Sequence, residues 1–335
     1  MNLLSTGSLQ SLATVEQGEQ NLGEPEKKGR CLLCGGTPTV VLRGVTDTRF
    51  GIAGTYNVVR CSACGLEHTH PIPSSDELKA LYEQHYNFGG ERDTTYTRIR
   101  EWFHFSRPYR LWLVLDGDFS FHRPKGAGRL LDIGCNEGRG LRIYSKNGFE
   151  AEGLELNETA ARVAREKGFT VHACLLQDFQ PPLLYDVVVL SNVLEHSLNP
   201  REMLADVLRI LKPDGQVWIT CPNSQSWQRK IFGRNWANWH VPFHIVHFSP
   251  TTLKSILFES GFAKIDVAQI TPALWVAANL IVTGFAQPRR VTKELRNAFL
   301  VTFLMLFVRG LFFPILWLGN LLGRGDCLVV MARRS

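Results

Sequence analysis

The 335 residues carry 44% hydrophobic side chains, 20% charged ones and a formal net charge of +6. That is enough for one full α/β domain plus a small module, and too apolar for a disordered chain. The mildly basic balance permits an anionic partner, nucleic acid or membrane surface, without demanding one. Four of the eight cysteines fall in two C-x-x-C pairs, which fits metal binding in a reducing compartment better than a disulfide framework.

Residues 1–28, rich in Gln, Glu, Gly and Ser, lack a basic segment followed by an apolar one, so a disordered leader is expected and a secretory signal is not. Cys31-x-x-Cys34 and Cys61-x-x-Cys64 follow, 26 residues apart, each pair with a glycine directly after it. Two such knuckles bring four thiolates to one tetrahedral zinc. The β-prone stretches Thr39–Leu42 and Tyr56–Arg60 supply the hairpin of a zinc ribbon over residues 29–72. A four-thiolate site has no open position, so its role is structural. His68 and His70 are possible competing ligands.

Pro71-Ile72-Pro73 ends the ribbon, and Ser74 with Glu77 forms a capping box for a helix through Tyr82. Residues 94–121 interleave Trp102, Phe103, Phe105, Tyr109 and Trp112 with Arg98, Arg100, Arg107 and Arg110. This predicts one helix, a lid or packing element in a linker over 73–125; stacking on bases with phosphate contacts is the alternative.

From Arg129 the pattern is strand, glycine turn, helix, strand and terminal carboxylate. Leu130, Leu131 and Ile133 surround Asp132, Gly134 and Gly138 bend the chain, and Glu155 lies 21 residues beyond Gly134. That is a βαβ nucleotide site in which Glu155 accepts ribose hydroxyls. The spacing D-x-G-x-x-x-G lacks the G-x-G-x-x-G that seats a pyrophosphate. Further on, Asp186–Ser191 reads as a central parallel strand and Asn199-Pro200 as a helix start. Lys212–Gly215 reads as a turn before strand Gln216–Thr220, Phe262–Ile270 as a sixth strand and Asp326–Ala332 as a seventh.

The stretch RLLDIGCNEGRG resembles the first motif of class I S-adenosylmethionine-dependent methyltransferases, with Asn136 where that family usually has glycine. Asn is the residue that best tolerates a left-handed backbone after glycine. SNVLEHSLNP, LKPDGQVWITCPN and HIVHFSPTTLKSILFESGF resemble later motifs of the family. CGLEHTHPIPSSDELKALYEQHYN resembles the ribbon-to-linker segment of bacterial members acting on small molecules or glycans. The resemblance implies an α/β fold, a seven-stranded, mostly parallel Rossmann-like sheet over 126–335, with the last two strands antiparallel neighbours. It implies S-adenosylmethionine contacts at Asp132, Gly134, Cys135, Asn136, Gly138, Glu155, Leu156, Asp178, Ser191 and Asn192. The role of Asp178 rests on its turn alone, since the Gly-Asp pair usual there is replaced by Cys174-Leu175. Pro222-Asn223 would face the acceptor.

His196 is a candidate general base or a positioning group. His240, His244 and His247 have no carboxylate or cysteine nearby in sequence, which favours polar acceptor-site groups, His244 first, over a second metal. The expected acceptor is a small molecule, sugar or lipid-linked intermediate. The alternatives are ribosomal RNA and a non-catalytic partner protein of the same fold.

An insertion over 284–324 carries Arg289, Arg290, Lys293 and Arg296 and then the apolar run Ala298–Leu322. One membrane crossing is excluded, because it would separate the last strand from its sheet. Two short segments kinked at Gly310–Pro314 would dip into one leaflet with the basic flank on anionic lipid. A dimer interface or a core-covering helix pair is the other expectation. The chain is read as cytoplasmic, with peripheral contact at the inner membrane face as an option.

Overall fold

The computed structural model describes residues 30–85 and 95–334, so the expected leader lies outside the described residues. The amino-terminal strands β1 (Pro38–Val45), β2 (Tyr56–Cys61) and β3 (Glu67–His70) form an antiparallel meander. α1 (Ser75–His85) then begins on the expected capping box: Ser74 N donates to Glu77 Oε2 at 2.7 Å and Glu77 N to Ser74 Oγ at 3.2 Å.

The single helix expected next is two, α2 (Thr95–His104) and α3 (Arg107–Asp116). Ser106 accepts the Tyr109 amide and Pro108 occupies the first turn, so the chain stops and restarts there. Most of their aromatics are spent on packing, while Trp102 stands exposed. Tyr109, Leu113, Phe103 and Phe105 meet Ile143, and Phe105 lies under Lys146 (3.8 Å) and Arg142 (4.5 Å).

The central sheet is built by β4 (Arg129–Ile133), α4 (Arg139–Lys146), β5 (Glu150–Leu154), α5 (Glu158–Glu166), β6 (Val171–His172), β7 (Tyr185–Ser191), α6 (Pro200–Ile210) and β8 (Leu211–Pro222). The chain continues through α7 (Trp227–Phe232), β9 (Val246–His247), α8 (Pro250–Glu259), β10 (Phe262–Ile270), α9 (Ala273–Phe285), α10 (Ala298–Leu321) and β11 (Cys327–Arg334), of which β10 and β11 complete the central sheet. The strand order is β10-β11-β8-β7-β4-β5-β6, parallel except for β11, which runs antiparallel to both β8 and β10. β7 is buried on both faces, as its run of valines requires.

The turn expected at Lys212–Gly215 is absorbed into β8. Between Tyr185↔Leu211 and Val187↔Gln216 the register jumps, and Pro213 and Asp214 bulge into solvent. Asp326 precedes β11 and does not join it.

β9 belongs to the chain's second half yet pairs with β3, making the amino-terminal sheet four-stranded (β1-β2-β3-β9). Cys31, Cys61 and Leu66 share one continuous apolar core with Leu131, Leu190, Ile219 and Phe248. The small module is thus sewn into the larger one.

The kinked pair of short segments expected in the insertion is corrected: α10 is one helix of 24 residues with Pro314 inside it, and it packs against α9, a helix the sequence reading did not place. By length and composition α10 is apolar enough to cross a membrane. Val308, Arg309, Leu316 and Gly319 form its buried stripe. Arg309 is the anchor: its guanidinium meets the Asp116 carboxylate of α3 and donates to the Thr271 carbonyl at 2.9 Å. Burial raises the Asp116 carboxyl, and Arg309 opposes that rise. Leu306, Leu311, Ile315, Trp317 and Leu321 of the other face stand in solvent.

Candidate active site

At the carboxyl end of β4 the chain turns through Gly134 (φ 73°), Asn136 (φ 52°) and Gly138 (φ 78°). All three occupy the left-handed region, so Asn136 does adopt the conformation its identity allows. Its side chain accepts the Glu137 amide at 2.9 Å, a local bond glycine could not make. The turn delivers the N-terminus of α4 beside the end of β5, where amide groups and the helix dipole face an anion. Glu155, just past β5, accepts from Asn136 N (2.9 Å) and Asn157 N (2.8 Å). One carboxylate therefore ties the glycine turn to the start of α5.

Asp132 is buried beneath the turn and pushed up to about 8, first by burial and then by the Glu155 charge. Cys135 is also buried, packed against Gly153, where any side chain would strike its sulfur. Leu156 and Asp178 are exposed, Asp178 closing a short 3-10 turn (Leu176–Asp178). Asn192 is left-handed (φ 55°), and Ser191 Oγ donates to the Phe119 carbonyl at 3.2 Å. The connection after α3 thus lies against the end of β7, a contact the sequence did not signal.

Beyond β7 a short 3-10 turn (Leu194–His196) carries Glu195 and His196. Ile245 N donates to the Glu195 carbonyl at 2.9 Å, which brings the histidine loop alongside. The His196 and His244 rings meet edge to face, centroids 4.6 Å apart, and His240 lies 4.9 Å from His244. A carboxylate oxygen of Glu195 and one ring nitrogen each of His196 and His244 fall within 4.8 Å of one another. No carboxylate lies near His240, His244 and His247 in sequence, but the fold brings Glu195 to His244. Glu195 is 1% exposed, and among the described residues no other residue hydrogen-bonds either of its oxygens. Burial pushes its carboxyl up to about 8. Burial also pulls His196 down to about 4, against a backbone hydrogen bond at Phe243, and pulls His244 well below the usual imidazole range.

His247 is not part of this group. Its Nε2 lies 3.0 Å from Thr69 Oγ1, and its ring packs on Trp239. Asn223, expected to face the acceptor, is likewise consumed in structure: its amide donates to Gln269 Oε1 (2.8 Å) and the Gly325 carbonyl (2.7 Å). Asp326, unflagged by the sequence, is buried and accepts from Ser226 Oγ (2.7 Å), Trp236 Nε1 (2.9 Å) and Asn238 Nδ2 (3.2 Å). It fixes the base of the histidine loop.

The four amino-terminal cysteines converge, with Cys31 Sγ 3.5 Å from Cys64 Sγ and Cys34 Sγ 3.4 Å from Cys61 Sγ. Two matching turns present them: Gly35 N bonds the Cys31 carbonyl and Gly65 N the Cys61 carbonyl, both at 3.0 Å. Four thiolates about 2.3 Å from one zinc stand nearly this far apart, so the donor set fits that ion. Burial opposes ionisation of Cys61, but the Cys64 and Ala63 amides and neighbouring thiols bring it down to about 7. His68 is buried on β3 and is not among the cluster's donors.

A mostly parallel seven-stranded sheet with its last strand pair antiparallel, a glycine turn and a carboxylate after the second strand defines a Rossmann-like methyltransferase. Residues 113–267 match the family described as a methyltransferase domain. A ubiquinone biosynthesis O-methyltransferase of Maricaulis maris is 29% identical over 182 residues, 48% of this chain and 70% of that protein. The enzyme of the same name from Methylococcus capsulatus is 33% identical over 111 residues, 30% of this chain and 46% of that one. The chain spans about half the length of most such relatives. Among solved structures, 1,6-didemethyltoxoflavin-N1-methyltransferase of Burkholderia thailandensis, with bound S-adenosylhomocysteine, is 16% identical with a TM-score of 0.43, covering 85% of this chain and 97% of that one. A methyltransferase from Mesorhizobium loti is 20% identical with a TM-score of 0.41, covering 66% and 100%. The chain carries an S-adenosylmethionine-dependent methyltransferase domain.

Proposed function

We propose that the protein methylates an oxygen of a small, apolar or lipid-linked biosynthetic intermediate, working at an anionic membrane surface. The observation that carries the cofactor half is the left-handed turn Gly134–Gly138 held against Glu155. When bound, S-adenosylmethionine supplies a sulfonium methyl group. Glu155 would exchange its two backbone partners for ribose hydroxyls, and Asp132 would face the ammonium group of the amino-acid tail. Ser191 and Asn192 would line the methionine end, with Leu156 and Asp178 at the adenine side. Catalysis would rest mainly on holding acceptor, carbon and sulfur in line. The four cysteines would hold a structural zinc.

The acceptor half is supported by the name shared by the curated relatives and by α10, whose solvent face is apolar and whose approach carries exposed Arg289, Arg290, Lys293 and Arg296. Residues 98–116 speak less for RNA in that Phe105 is already covered by Arg142 and Lys146, although Trp102 stays exposed.

The test is calorimetry with S-adenosylmethionine on the wild type and Glu155→Ala, followed by methyl-labelled cofactor and fractionated cell extract. A loss of about a hundredfold in cofactor affinity is expected, about 2.7 kcal/mol. Label should enter the organic fraction. Unchanged affinity would remove Glu155 from the site, and label destroyed by ribonuclease would replace the acceptor class.

A further inference from the structure

The cluster of Glu195, His196 and His244 is more than polar lining. Glu195 places two buried oxygens among imidazoles, and among the described residues neither oxygen has a donor from another residue. A buried carboxylate of that kind is costly unless a cation or proton meets it. His244 Nδ1 lies 2.7 Å from the Asn238 carbonyl. A carbonyl can only accept, so Nδ1 carries the hydrogen and the Nε2 lone pair faces the cluster. Asn238 is in turn held by Asp326, the kind of outer support that orients metal-bound histidines. His196 Nδ1 lies 2.8 Å from the Tyr82 hydroxyl; a ring whose Nδ1 donates to the tyrosine oxygen would offer Nε2 to a cation. The ring's contact with the Phe243 backbone is the one a cation would replace.

We propose that Glu195, His196 and His244 hold a divalent transition-metal ion beside the transfer site. Two imidazoles and one carboxylate suit zinc or iron(II) and leave further coordination positions open. Donors about 2.1 Å from one ion are roughly 3 Å apart when adjacent, so the three groups, now within 4.8 Å, close further on binding. His196 is only partly buried, which leaves that side open to a ligand. Its role rests on the methyl-transfer reading above. An acceptor hydroxyl at an open position would lose its proton to water more readily. The oxygen would then take the methyl carbon as the carbon–sulfur bond breaks, the electron pair remaining on sulfur.

The test is titration of the full-length protein, its cysteine site loaded with zinc, with Co2+. One added Co2+ per chain is expected, with visible d–d bands and no thiolate-to-cobalt band. Glu195→Gln and His244→Ala should each weaken it at least tenfold, while calorimetry with S-adenosylmethionine on Glu195→Gln stays at the wild-type value and certifies the fold. No binding, a thiolate band alone, or equal affinity in wild type and Glu195→Gln would overturn the site. Cobalt binding without any S-adenosylmethionine binding would leave the metal site standing and refute its catalytic role.

Discussion

The two ends of the candidate active site are built in opposite ways. The cofactor end is largely local: Asp132, the glycine turn, Glu155 and Asn157 lie within one βαβ unit, and the two backbone bonds to Glu155 span at most 19 residues. The acceptor end is assembled at a distance. Glu195 and His196 follow β7, His244 comes from a loop fixed by Asp326, Tyr82 arrives from α1, and Thr69 of β3 binds the His244 carbonyl at 2.7 Å. Local geometry survives damage elsewhere; assembled geometry depends on every segment that contributes to it.

The largest effect should come from the cysteine cluster. Cys61→Ser should cost roughly 5 kcal/mol or more if zinc is the module's main source of order. Because β3 pairs with β9, the damage should reach the histidine loop before the glycine turn. Hydrogen exchange would reveal this as lost protection at Val246 and His247, with Leu131 and Leu154 still protected. Simultaneous loss at all four would break the contrast.

Next is the buried pair that moors α10. Arg309→Leu leaves Asp116 without its charge partner and should cost about 3–5 kcal/mol in a denaturant melt, while Asp116→Asn with Arg309→Leu should recover part of it. An Arg309→Leu melt indistinguishable from wild type would mean that α10 is moored by its apolar stripe alone.

The pH dependence of cofactor binding sharpens the local half. Asp132, facing Glu155 of β5 and the Tyr144 ring of α4, has its carboxyl pushed up to about 8. In the free protein this shift costs nothing below about pH 4 and destabilises the fold progressively as pH rises towards 8. The ammonium group of the amino-acid tail would favour the ionised form. Affinity should therefore rise up to tenfold per unit from about pH 6 to about pH 8, with proton release visible in buffers of different ionisation enthalpy. Asp132→Asn should flatten the profile.

The smallest effect is expected at Asn136. Glycine there relieves left-handed strain but forfeits the bond to the Glu137 amide, so Asn136→Gly should stay within about 0.5 kcal/mol of wild type. Asn136→Val, which is β-branched, should cost at least about 1 kcal/mol.

The sequence alone carried what repeats at short range. The paired knuckles, the β-prone stretch of β1, the buried run of β7, the caps at Ser74 and Asn199, and the left-handed Asn136 each follow from a few neighbouring residues. Tertiary structure decided what needed a distant partner. Nothing near His244 announces Glu195, nothing near Asp116 announces Arg309, and β9 is too short to declare that it completes the sheet of the amino-terminal module. The continuity of α10 was also beyond local reading. Gly310 and Pro314 predict a break, yet the helix runs on because Val308, Arg309, Leu316 and Gly319 are held along one stripe by α3, α9 and Trp227. Propensity is set by a residue and its neighbours, whereas burial and charge pairing are set by whatever the fold brings against it.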